Sequence, residues 1–196
     1  RELVTKDATI REIHHRVKNN LQTVAALLRL QARRMDSSDA KAALEEAVRR
    51  VGSIAIVHEL LSQAVEESVS FDDVADRLGS MVAEVGSVGG SIRVRREGSF
   101  GVLPSETATT VAMVLTELLQ NAVEHAYPEP EPEGTIVVTA RRTEGRLTFT
   151  VVDDGQGLPA GFDLDDASSL GLSIVGTLVE SELGGRLGIG PAPSGR

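Results

Sequence analysis

From Ile10 onward, apolar residues return at alternating steps of three and four, through Ile13, Val17, Leu21, Val24, Leu28 and Met35. That is the period of an α-helix. Two seven-residue series run through the segment, Ile10/Val17/Val24/Gln31 and His14/Leu21/Leu28/Met35, and predict the a and d seam of a coiled-coil-like bundle. DSSD at 36–39 offers a turn and a helix cap. A second long helix is expected after it, with Leu44, Val51, His58 and Val65 seven apart and Val48, Ala55 and Ser62 as a companion series. Two helices on a short loop form a hairpin whose apolar stripe stays wet until something covers it, so the pattern predicts two copies pairing into a four-helix bundle.

After ESVSFDD the pattern changes. Residues 72–86 read as a helix with Val74, Leu78, Met81 and Val85 inward, SIRVRREG alternates as a strand, and PSETATTVAMVLTELLQNAVEHAY reads as a capped helix. GTIVVTARRTEGRLTFTVVDDG reads as two strands turning at TEG. YPEPEPEG is too biased to pack and is read as a loop. SSLGLSIVGTLVESELGG predicts a last helix with a glycine stop, and RLGIG a last strand. Helices mixed with mostly antiparallel strands imply an α+β sandwich, one sheet under a helical layer. The expected division is a helical hairpin over 1–68 and a second domain over 69–196. Both ends read as cut: the chain begins inside a helix-compatible stretch and stops on turn residues where a hairpin partner of the last strand is expected.

Composition narrows the classes. Aromatics are only 3% and tryptophan is absent, so any core is aliphatic. A formal charge of −9 argues against a general nucleic-acid or anionic-membrane binder, which needs a basic face. Without cysteine there are no disulfides or thiolate-bound metals. No apolar run approaches the ~20 residues that cross a bilayer, and the expectation is a cytoplasmic protein with no membrane segment in this stretch.

Two stretches carry candidate chemistry. In REIHHRVKNNLQ, His14 falls on the seam and reads as a structural core histidine, whereas His15 lies about 100° further round the helix, toward solvent. Glu12 and Asn19, three before and four after, share its face. Glu12 could fix the imidazole tautomer and Asn19 hold a water or phosphate oxygen. An accessible neutral imidazole on a rigid helix is a serviceable nucleophile. In TELLQNAVEHA, Glu117, Asn121 and His125 stand at four-residue steps on one stripe, a pattern that also suits the wet side of an amphipathic helix. LTFTVVDDGQGLP ends a strand in two aspartates and two glycines. A carboxylate there can accept from an adenine amino group, and Gly155 and Gly157 let backbone approach a flat ring, although DDGxG is also a common turn. SSLGLSIV puts a glycine at a helix start, where free amides favour phosphate. LPAGFDLDDASSLG between these clusters suits a short lid.

Taken in order, HHRVKNNLQ, ELLQNAVEHAY, DDGQG and SLGLSIV resemble the histidine box, asparagine box and two glycine boxes of the transmitter core of bacterial sensor histidine kinases, of the HisKA_2 subfamily akin to the HWE kinases. IAIVHELL at 54–61 resembles that subfamily's second bundle helix. The resemblance covers nearly the whole chain. It implies a homodimeric helical hairpin followed by a Bergerat-type ATP-binding domain, ATP and Mg2+ as cofactors, and a response-regulator receiver domain as partner. It implies His15 as the phosphorylated histidine, Asn121 as the magnesium ligand, Asp153 as the adenine-binding carboxylate, and Gly155, Gly157 and Gly171 in the nucleotide loops. Glu117 matches the asparagine-box acid, and His125 and Leu172 join the nucleotide-contacting positions of the same boxes. Asn19 is expected to orient water in the reverse, phosphatase reaction, an effect that Asn19→Ala would remove. The chain departs from the common kinases in having Arg16 after the phosphoacceptor where they have an acid, Glu124 where they have lysine, Ser169 where they have glycine, and no phenylalanine box. Two other readings fit parts of the pattern: a Bergerat-fold ATPase in which Glu117 activates water, and a phosphotransfer scaffold with no nucleotide chemistry.

Overall fold

The computed structural model describes residues 2–62, 68–86, 91–127, 133–158 and 170–191. Val65, most of the expected Pro/Glu loop and most of the expected lid lie outside them, as do the side chains of His14 and Val85. The chain is an α+β protein that divides into two units, Arg1–Glu67 and Ser68–Arg196.

The first unit is a helical hairpin of α1 (Glu2–Ala32) and α2 (Ser38–Ser62). The expected turn and cap are present: Ser37 Oγ accepts from Ala40 N at 3.4 Å, and Lys41 N donates to Ser37 O at 3.0 Å. Between the helices Ala25, Ala32, Val48, Ala55 and Val57 are buried, with Leu21, Leu28, Leu44 and Val51 half-buried beside them. Only part of the predicted seam is therefore used within the hairpin. The Leu21/Leu28 series is partly covered, together with the small Ala25 and Ala32, while Val24, Gln31 and Met35 of the predicted series are exposed. One partner helix covers one stripe, and Ile13, Val24, Leu27, Leu30 and Met35 are left facing out.

The second unit holds β1 (Ser68–Ser70), α3 (Phe71–Gly86), β2 (Ser91–Gly98), β3 (Val102–Pro104), α4 (Ser105–Ala126), β4 (Glu133–Thr143), β5 (Arg146–Asp153) and α5 (Leu170–Thr177). Its sheets differ from the expected mostly antiparallel arrangement. β1 pairs antiparallel with β3, but the main sheet is mixed, in the order β2-β4-β5, with β2 parallel to β4 and β4 antiparallel to β5. Parallel neighbours need a crossover, and α4 lies in the chain between them. The β4–β5 hairpin turns on Glu144 and Gly145, whose φ of 49° and 80° are those of a type I′ turn. Ile92, Ile136, Val138 and Ala140 are buried on one face of the sheet, and Phe71, Phe100 and Phe149 stack in sequence with ring centroids 5.0 and 5.4 Å apart.

α4 is the axis of this unit. Ala108, Val111, Ala112, Val114, Leu115, Leu119 and Ala122 are buried along it at helical spacing. It starts after Pro104 with no side-chain cap, contrary to the expected capped helix; proline instead fixes φ at −55° just before the first turn. α5 widens at its end into a π-type turn, Leu178–Glu182, and stops as expected at glycine, with Gly184 at φ 60° and Gly185 N donating to Val179 O at 2.8 Å. The predicted strand RLGIG does not form: residues 186–190 carry no ladder. Gly188, Gly190 and Pro191 weaken strand pairing, and the segment is held by Leu187 packing on the Val114/Val175/Val179 cluster.

A polar clamp joins α3 to the β2–β3 connection. Partial burial works to raise the Asp72 carboxyl, but hydrogen bonds from Ser99 Oγ (2.6 Å) and Phe100 N (2.8 Å), together with the nearby Arg96 guanidinium, outweigh it and hold the group below its usual range. Arg96 is held in turn by both oxygens of Asp76, at 2.8 and 2.9 Å. A carboxyl depressed in the folded state stabilises above its unfolded pKa and loses that contribution as pH falls through its folded value. Asp72→Asn should therefore cost about 2 kcal/mol at pH 7, the scale of hydrogen bonds to a charged group. Urea titrations should show the gap to the parent closing as pH falls below the ordinary aspartate range.

Candidate phosphoacceptor and nucleotide sites

In the hairpin, His15 is exposed on α1, with Glu12, Arg16 and Asn19 exposed around it. Glu12 accepts from Arg16 Nε at 2.9 Å, so its carboxylate already has a cationic partner one turn away, in competition with the tautomer-fixing role expected of it. On the neighbouring stripe Lys18 Nζ donates to both carboxylate oxygens of Glu59 on α2, at 2.7 and 2.8 Å. Asn19 O accepts from Thr23 Oγ1 at 2.9 Å. The imidazole thus stands open to solvent between two cation–carboxylate pairs.

In the second unit, α4 gathers the remaining motif segments. Glu117 and Asn121 are half-buried on it and His125 is exposed. The Asn121 side-chain nitrogen is buried, with no hydrogen-bond partner among the described residues. Leaving a shielded amide unsatisfied costs about 1–3 kcal/mol, which a bound polar ligand would recover. The DDGQG loop docks on the C-terminal end of the same helix: Gln156 N donates to Ala126 O and Gln156 Nε2 to His125 O, both at 2.8 Å. α5, which opens with Leu170 and the buried Gly171, packs on α4 through Val175 against Val114. Leu172 is half-buried.

The two aspartates have different tasks. Asp153 is half-buried at the end of β5 and uses Oδ1 to accept from Gly155 N at 3.0 Å. Asp154 is structural: its Oδ1 accepts from Tyr127 Oη at 3.0 Å and Thr135 N at 2.7 Å. Burial, then the hydrogen bond to Asp154 and its negative charge, push the Tyr127 phenol above its ordinary pKa, so it stays a donor. The glycines divide in the same way. A Cβ on Gly155 would sit 2.1 Å from Ala126 O, and one on Gly134 would sit 2.0 Å from the Tyr127 ring, so both are small because protein presses on them. Gly157 has open space but a φ of 75°, so it serves the turn. Sequence reasoning gave Tyr127, Asp154 and Gln156 no part; the one available signal was that Tyr127, the chain's single tyrosine, closes the α4 motif.

Tyr127→Phe should lower the stability of this unit by about 1 kcal/mol. It should also loosen the loop beside Asp153, visible as amide exchange about fivefold faster at Gly155 and Gln156.

Comparison with known proteins covers both units. The family described as histidine kinase matches residues 12–85, and that described as histidine kinase-like ATPase domain matches 94–182. The chain is 56% identical over 189 residues to the sensor histidine kinase PdtaS of Mycobacterium tuberculosis, covering 96% of this chain and 38% of that protein. It is 54% identical over 195 residues to PdtaS of Mycolicibacterium smegmatis, covering 100% of this chain and 39% of that protein. The chain therefore spans about two fifths of the length of these curated relatives. Among solved structures, the histidine kinase domain of the Erythrobacter litoralis EL346 blue-light activated histidine kinase superposes with a TM-score of 0.59 at 26% identity, covering 89% of this chain and 83% of that one.

Proposed function

Because this chain belongs to the histidine kinases, we propose that it phosphorylates itself on His15 from ATP and passes the phosphoryl group to an aspartate of a response-regulator receiver domain. The observation that carries this reading is the exposed imidazole of His15 in one unit, combined with a half-buried Asn121, its side-chain nitrogen unsatisfied among the described residues, in the other.

Asp153, anchored by Gly155 N, is the acceptor for the adenine amino group. The loop that carries it is fixed to α4 by Gln156, so the purine reader and Asn121 are held on one rigid element. Asn121 supplies an amide oxygen suited to Mg2+, which takes oxygen ligands and is commonly held by one or two protein groups plus phosphates. No group of three His, Asp or Glu side chains suited to a metal lies among the described residues. When bound, Mg2+ would neutralise charge on the β- and γ-phosphates. The amides at the start of α5, around Gly171 and Leu172, face the phosphates in this reading.

In the transfer, the neutral imidazole nitrogen of His15 forms a bond to the γ-phosphorus as the bond to the β–γ bridging oxygen breaks and ADP leaves with the electron pair. Positioning and charge neutralisation supply most of what such a step needs. Glu117, half-buried one turn before Asn121, is the candidate to orient or deprotonate near the phosphates. The exposed apolar stripe of α1 supports a homodimer, because a second hairpin is the partner that would complete a four-helix bundle. No described helix is long and apolar enough to cross a membrane. A water-activating ATPase uses the second unit alone and leaves the His15 setting without purpose; γ-phosphate labelling of His15 variants separates the two.

A further inference from the structure

We propose that Lys18 is a transferable counter-ion for phosphorylated His15, and that Glu59 holds its ammonium until the phosphoryl group arrives. The inference rests on the reading of His15 as phosphoacceptor and adds two residues to that site.

Lys18 lies three residues after His15 on α1, and side chains three apart on a helix are surface neighbours. Its ammonium does not point freely into solvent. It is held across the hairpin by both oxygens of Glu59, with 31% of the lysine side chain and 48% of the glutamate side chain exposed. Among the described side chains, Arg16 is a second cation beside His15, and it is matched by Glu12. Beside the unphosphorylated imidazole, both Arg16 and Lys18 are therefore already held by carboxylates. Phosphorylation replaces a neutral ring with a group carrying about two negative charges, with oxygens that are stronger partners for a cation than a half-exposed carboxylate. A lysine on a flexible four-carbon stem can turn from one acceptor to the other without moving either helix. Arg16 is held by Glu12 within a single helix, so its exchange would not touch the hairpin, whereas Lys18 reaches across from the phosphoacceptor face of α1 to α2.

The two partners then act in opposite directions on the product. Lys18 stabilises phosphohistidine, and Glu59 competes for the lysine. An ion pair that only fastens α1 to α2 would respond with the same sign to loss of either side chain.

The test uses the full chain with defined ATP:ADP mixtures and Mg2+, reading the equilibrium fraction of acid-labile phosphate on His15. Lys18→Met should lower the equilibrium constant about threefold and Glu59→Gln should raise it about threefold, the range of a partly exposed ion pair. Lys18→Arg should restore the parent value. Equal-sign effects for Lys18→Met and Glu59→Gln, or an unchanged equilibrium in both, would overturn the proposal while leaving His15 as the acceptor. If the parent chain takes no label on His15 at all, the phosphoacceptor reading falls and this one with it.

Discussion

A His15→Gln chain given γ-labelled ATP and Mg2+ will carry no acid-labile, alkali-stable phosphate, whereas the His14→Gln chain will keep it. The expected effect is complete, because glutamine offers no nitrogen lone pair able to form a phosphoramidate, and no neighbour can substitute at the same place on α1. The adjacent pair makes the test internally controlled. His15 is exposed among Glu12, Arg16 and Asn19, while the heptad spacing of His14 with Leu21 and Leu28 predicts a seam role for it. His14→Gln should therefore affect hairpin stability more than chemistry. Circular dichroism at the labelling temperature distinguishes an unfolded variant from an inert one. Label that persists in His15→Gln and disappears in His14→Gln would invert the assignment. Label on neither parent nor variants, with steady release of phosphate, would favour the ATPase reading.

Asn121→Ala should reduce phosphorylation by roughly 10²–10³, the scale for removing one preorganised electrostatic contact from a transition state. The mechanism predicts more than a slow enzyme. Asp153 and its loop are held by Gly155 N, Ala126 O and His125 O, none of which involves the Asn121 side chain. Purine binding should therefore survive in part, and the loss should fall on the component of affinity that Mg2+ adds. Nucleotide titrations with Mg2+ and with a chelator should differ strongly for the parent and little for Asn121→Ala. Removing the side chain also removes a buried, unsatisfied amide, so the variant should be no less stable than its modest loss of packing implies, and denaturant unfolding without nucleotide checks this. If Asn121→Ala kept the full Mg2+ dependence of the parent, Asn121 would not be the metal-side ligand.

Much of the architecture was legible before any coordinates. The period of 3.6 in α1 and α2, the alternation in β2, β4 and β5, and the TEG turn follow from backbone geometry, which repeats locally and imprints itself on neighbouring residues. The strand β2 occupies Ser91–Gly98, the stretch read as SIRVRREG. What failed were inferences that need a partner from elsewhere. RLGIG alternates like a strand, but alternation cannot supply a neighbour to pair with, and the segment instead packs through Leu187 on the Val114/Val175/Val179 cluster. The cap read into the start of α4 is replaced by Pro104.

By itself, the sequence determined the helical hairpin, the order of the motif segments and which residues are candidates for the chemistry, because periodicity and spacing are properties of contiguous chain. Tertiary structure decided the division of labour inside those motifs. It alone made Asp154 a structural acceptor for Tyr127, 27 residues away, and for Thr135, while among the described residues Asp153 accepts from the nearby Gly155 N. It also set Gly155 tightly against the Ala126 carbonyl, and left one apolar stripe of α1 outside the hairpin. The two adjacent aspartates became different because distant residues close around one of them.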